Sequence, residues 1–144
     1  MVISDGSVAD RLAQAGLRGA SLSQFAIAIN GIRLSFWGEG AASVCHEVHV
    51  EQSVVRVAGG AGDRVAAYGW TDPQVSRALL ACLGRSVLDV GVSGGSLTLR
   101  FSTEIGLSVD PDDAQEAWQI SSDDGLRIVC APGGEVSTWR PRER

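Results

Sequence analysis

The sequence predicts an α+β domain in which about eight or nine short strands form a mainly antiparallel, curled β-sheet with one packed helix. Two observations predict it. Glycine-bearing turn signals recur between short runs of β-forming residues, at Asn30-Gly31, Ser93-Gly-Gly-Ser96, Asp123-Asp124-Gly125 and Pro132-Gly133-Gly134. Glycine there supplies the positive φ of a tight reversal. Only one stretch, opening at Thr71, joins a secure helix-start signal to an apolar stripe of helical period. So many twisted strands rarely stay flat, so the sheet is expected to curl.

The elements follow in chain order. Val8 to Leu17 has room for a helical turn or two, with Leu12 and Leu17 apolar, but Gly16 and Gly19 weaken it. Residues 1–20 are therefore expected to be a loosely attached arm. Leu22 to Ile29 runs apolar, Asn30-Gly31 suits a type I′ turn, and Ile32 to Phe36 alternates, which predicts a hairpin. Val44, His46, Val48 and Val50 share one strand face. Gln52 and Ser53 mark a bulge or a short break before Val54-Val-Arg-Val57, and Ala58-Gly-Gly-Ala-Gly62 reads as a loop.

Thr71 as cap and Gln74 three residues later make a capping box, with Pro73 in the first turn. Val75, Ala78, Leu79, Cys82 and Leu83 fall on one stripe, and Gly84 can take the left-handed stop. A helix over Asp72 to Leu83 should lay that stripe on the sheet, with Trp70 as a staple at its entrance. Strands follow over Ser86–Val92, Leu97–Phe101 and Gly106–Asp110, and Pro111-Asp-Asp113 ends the last. Three runs between Trp118 and Trp139 close the chain as a meander, and the two tryptophans are expected to clamp the core. Residues 21–140 thus form a single α+β domain, and residues 141–144 a basic tail.

Composition narrows the function classes. The 144 residues are 44% hydrophobic and 20% charged, with net charge -5, ordinary for a globular domain. No apolar run reaches the roughly 20 residues of a membrane span, and Met1 to Asp5 lacks the start of a signal peptide. The expected compartment is the cytoplasm, with no membrane partner. Cys45, Cys82 and Cys130 are odd in number and widely spaced, which argues for reduced thiols. All the basic residues are arginine, and between Thr103 and Glu135 only Arg127 opposes a run of acids. An acidic face argues against nucleic acid, which needs a basic stripe, and reads either as a solvated surface or as a docking patch for a basic protein partner.

The chemistry of catalysis is hard to find. Cys45-His46-x-x-His49 resembles a metal spacing. In a strand, however, Cys45 and His49 lie about 13 Å apart on one face while His46 points away. Metal ligands must converge within about 2.3 Å of the ion, so no metal is expected. Gly91-Val-Ser-Gly-Gly95 has the spacing of a nucleophile elbow, but it lies between two strand runs without the helix that motif requires, and it reads as a hairpin turn. No glycine pattern completes a nucleotide loop, and no cofactor is expected. The turn pairs Asp112-Asp113 and Asp123-Asp124 read as solvated hydrogen-bonders. A nucleophile beside a histidine could arise only through tertiary proximity. Trp37 stands at a strand end beside Gly38-Glu39-Gly40, where exposure would make it a contact residue, since tryptophan is enriched at binding hot spots.

Leu17-Arg-Gly19 before a hairpin, a helix opened by Asp-Pro, and the ending Glu116-Ala-Trp118 … Gly125-Leu … Cys130-x-Pro-Gly-Gly-Glu135-Val-x-x-Trp139 resemble a family of small actinobacterial proteins catalogued only as a domain of unknown function. The resemblance runs from about Leu17 to Trp139 and implies no activity. Its small, motif-poor character is similar to that of immunity proteins, which act by binding. The function expected is non-enzymatic protein binding, by an immunity-type antidote or an accessory subunit. The partner-binding residues would be Trp37, Glu39, Asp110, Asp112, Asp113, Glu116, Asp123 and Asp124. The alternatives are a small-ligand-binding protein or enzyme with a pocket in the curled sheet, and a self-associating structural module.

Overall fold

A computed structural model describes residues 2–3, 6–38, 44–59 and 65–139, with side chains from residue 8 onward. Glu39, the Gly60–Gly62 part of the glycine loop and the tail 141–144 lie outside the described residues. The fold is the expected α+β, mainly antiparallel one, and among the described residues two helices and twelve strands build it, the strands in two sheets. The larger sheet has the order β1-β12-β11-β10-β4-β3-β2 and the smaller the order β6-β5-β9-β8-β7, and neither closes on itself.

The larger sheet contains β1 (Val2–Ile3), β2 (Ser21–Ala28), β3 (Gly31–Trp37), β4 (Cys45–Val50), β10 (Trp118–Ser122), β11 (Arg127–Cys130) and β12 (Val136–Trp139). The smaller contains β5 (Val54–Ala58), β6 (Val65–Gly69), β7 (Val87–Ser93), β8 (Ser96–Phe101) and β9 (Gly106–Val109). The break at Gln52-Ser53 is where the chain leaves one sheet for the other, so β4 and β5 are not partners. Alternation does the rest. Ile32, Leu34, Phe36, Val48, Val50 and Ile120 from one sheet meet Val55, Val90, Leu97, Leu99, Phe101 and Leu107 from the other, all buried. Only about 20 Å³ stays unfilled where Ile32, Leu34, Val48 and Val50 face Val55, Leu97, Leu99 and Leu107. The space between the sheets is therefore core.

Helix α2 (Pro73–Cys82) confirms the secure helix with two adjustments. Asp72, not Thr71, is the cap, its carboxylate accepting the Gln74 amide at 2.9 Å. Val75, Ala78, Leu79 and Cys82 are buried as expected, but Leu83 is 43% exposed. The helix ends at Cys82, and Leu83 is already extended at the C-cap, so it leaves the stripe. Gly84 takes the left-handed φ of +80° after it.

The larger correction concerns the N-terminus. Gly6–Leu17 is a full helix, α1, not a loose arm. It packs against β7 and β12, with Ala9, Ala13 and Leu17 wholly buried at four-residue spacing. Asp10 accepts the Val92 amide at 2.8 Å, tying the helix to the edge of β7.

The hairpin turn between β2 and β3 is one residue earlier than predicted. Ala28 pairs with Gly31 across Ile29-Asn30, and Asn30 does not take a positive φ, so the turn is not type I′. Gly31 is glycine for a different reason. A Cβ there would stand 2.0 Å from the Val50 carbonyl oxygen, because β4 passes that closely. The Ser93–Ser96 reversal behaves as predicted, with Gly94 and Gly95 both at positive φ.

The closing meander is present as predicted, and β10 also pairs with β4. Its tryptophans differ. Trp118 is fully buried and donates Nε1–H to the Gly95 carbonyl at 2.9 Å. Trp139 alternates outward, where Arg127 lies 5.3 Å from its ring centroid, a cation–π contact rather than a core clamp.

Candidate functional site

Cross-strand register decides which predicted residues meet. Trp37 pairs with Cys45, and His46 pairs with Ser122. Cys45 and Asp123 exchange hydrogen bonds, the Asp123 amide to the Cys45 carbonyl at 3.1 Å and the Cys45 amide to Asp123 Oδ1 at 3.2 Å. Trp37, Cys45 and Asp123 thus lie on successive neighbours at one end of the larger sheet. Two strand spacings, about 10 Å, separate the first from the last. Trp37 is 51% exposed there.

The remaining acids are elsewhere. Asp110, Asp112, Asp113 and Glu116 precede β10, whereas Asp123 and Asp124 follow it, so the length of the strand, about 13 Å, divides them. Asp110 is also engaged. It accepts Arg56 Nε at 2.8 Å and the Ser96 hydroxyl at 2.9 Å, and these bonds hold its carboxyl below the usual carboxylate range. Asp112 caps its own turn through the Ala114 amide, while Asp113 and Glu116 are exposed. One continuous acidic face does not form.

Beside the Asp123–Asp124 turn is a cleft of about 360 Å³. Leu12, Ala15, Gly16, Arg18, Gly19 and Ala20 supply the α1 side, Gly38 and Val44 flank it, and His46, Asp124 and Leu126 complete it. The helix sits close to the sheet because residue 16 has no side chain. A Cβ there would be 3.3 Å from His46 Cε1 and 3.2 Å from Leu126 Cδ2. The glycine that weakens α1 as a helix former is what seats it.

His46 is 4% exposed, and its Nδ1 shares a hydrogen bond with Ser122 Oγ. Burial pushes its pKa below the ordinary value, against the opposing pull of the Asp124 and Asp123 carboxylates. The imidazole is therefore kept neutral near pH 7. His46 and Ser122 are a base and a hydroxyl in contact, a juxtaposition no spacing reveals. Ser122 is not part of the cleft wall, however, so a molecule in the cleft meets the imidazole and not the hydroxyl. On the opposite face of β4, His49 Nδ1 lies 3.2 Å from Glu51 Oε1, out of line for a hydrogen bond.

Cys45 is half-buried and Cys82 and Cys130 are buried, all as free thiols. Burial, then Asp123 and Glu47, raise the Cys45 pKa, which disfavours a reactive thiolate. Among the described residues no three His, Cys, Asp or Glu side chains gather to hold a metal ion, and no helix is long and apolar enough to cross a membrane.

A family model described as "Family of unknown function (DUF6188)" matches residues 14–140. No curated protein and no solved structure matches the chain.

Proposed function

We propose, from the premise that the chain belongs to this family of unknown function, that it is a non-enzymatic protein-binding protein, an immunity-type antidote or an accessory subunit. The observation that carries the reading is Trp37, a large aromatic 51% exposed at the sheet end that also presents Asp123. Tryptophan is the residue most enriched at binding hot spots, and neighbouring carboxylates favour encounter with a basic partner. The Ser122–His46 pair seen among the described residues supports binding over catalysis, because its hydroxyl is not on the cleft wall.

The test is affinity capture from the native host, followed by association kinetics at two salt concentrations. Trp37→Ala should weaken the captured complex by more than about 1 kcal/mol. Asp123→Asn and Asp124→Asn should slow association, while Asp112→Asn and Asp113→Asn, at the other end of β10, should leave it unchanged. A partner indifferent to Trp37 and to salt removes this surface from the reading, and capture of no protein at all removes the reading.

A further inference from the structure

We propose that the cleft between α1 and the β10–β11 turn binds a free α-amino acid with an apolar side chain. Arg18 and Asp124 line the same opening with opposite charges, yet no ion pair joins them. Two opposite charges on one opening with an apolar lining match the two charged ends of a zwitterion.

Each group of such a ligand has a counterpart. The planar guanidinium of Arg18 matches a carboxylate in a two-point hydrogen bond. Asp124 has Oδ1 occupied by the Leu126 amide at 3.1 Å, which fixes the carboxylate and leaves Oδ2 for an ammonium. Leu12, Val44 and Leu126 offer walls for an apolar side chain. His46 supplies a polar contact without a competing charge.

Size and charge narrow the class. A cleft of about 360 Å³ is at the small end of ligand pockets, which run from about 300 to 1,000 Å³. That suits one amino acid better than a nucleotide or a peptide. A chain terminus carries only one of the two charges on its α-carbon, whereas a free amino acid carries both and offers a partner to Arg18 and Asp124 together. The site goes beyond the protein-binding reading and does not depend on it.

The experiment is an NMR titration of the full chain with L-leucine and L-phenylalanine, following the His46 ring and the Trp37 indole. The expected result is a saturable shift at His46. N-acetyl-L-leucine, which lacks the ammonium, and L-leucine methyl ester, which lacks the carboxylate, should each bind roughly 10- to 100-fold more weakly, as loss of a charged hydrogen bond implies. Arg18→Gln should weaken L-leucine but not the methyl ester. Asp124→Asn should weaken L-leucine but not the N-acetyl form, and asparagine keeps the Oδ1 bond to Leu126. No saturable shift at His46 by about 10 mM with either amino acid, which places any affinity beyond the useful range, overturns the proposal. So does either blocked analogue binding as tightly as L-leucine, a result that needs only the unaltered chain.

Discussion

Truncating Leu79 to alanine tests the seam where α2 meets both sheets. Leu79 is 1% exposed and borders an inter-sheet space with only about 20 Å³ unfilled. Removing three carbons forfeits about 2.4 kcal/mol at about 0.8 kcal/mol per buried CH2. Tightly packed neighbours relax little, so a residual cavity of roughly 60 Å³ adds about 1.4 kcal/mol at about 24 cal/mol per Å³. The expected loss is about 4 kcal/mol, within the range observed for buried leucines. Urea unfolding should show a lower midpoint at unchanged slope, since an altered slope would signal a different denatured or native state. Leu83→Ala is the internal control. It is 43% exposed beyond the helix end and should stay within about 0.5 kcal/mol. Equal losses for the two variants would refute the placement of the helix terminus, and no loss for Leu79→Ala would refute the packing of α2.

Stability should fall as pH drops below about 6.5, because the His46 pKa is lowered in the fold and the unfolded chain takes up the proton first; His46→Gln should flatten that dependence in denaturation curves run from pH 7 to 5. Trp118→Phe should cost about 1–3 kcal/mol by leaving the buried Gly95 carbonyl without its indole donor, with the Cys130 thiol, 3.3 Å from the same oxygen, as the remaining partner. Gly95→Ala should cost more than about 1 kcal/mol, since its φ is +82° and a Cβ would stand 2.8 Å from Gly134; an unchanged melting temperature would mean that the two turns do not touch. Asp110→Asn should cost less than about 1 kcal/mol, because the Arg56 pair is half-exposed on both sides and solvent screens it.

What could be read from the sequence was local. The cap, proline and stripe of α2 lie within a dozen residues, and the glycine turns announce β7–β8 and the closing meander. Helix α1 escaped because its buried face is built from Ala9 and Ala13, which signal weakly as apolar residues, and because Gly16 reads as a helix breaker. Only the tertiary approach of His46 and Leu126 explains that glycine. The acids from Asp110 to Asp124 look like one patch along the chain, but a strand puts its two ends on opposite sides of the sheet. The division into two sheets turns on three residues, Glu51 to Ser53, whose polar character marks a break without saying where the chain goes next. The candidate site was least legible, since His46 and Ser122 are 76 positions apart.

That separation bears on how the chain matures as it leaves the ribosome. Strand β4 has β3 on one side and needs β10 on the other, with its first contact to the β10–β11 turn spanning 78 residues. Until the last quarter of the chain has emerged, β2, β3 and β4 can form only a partial sheet. Its open edge would then be β4, with the apolar row of Val48 and Val50 uncovered. Pairing over such separations is slow, and an unpaired strand edge is a template for association with other chains. The C-terminal meander therefore acts as a late lock on the fold. Chains truncated before Trp118 should pass into aggregates, whereas full-length chains should remain dispersed.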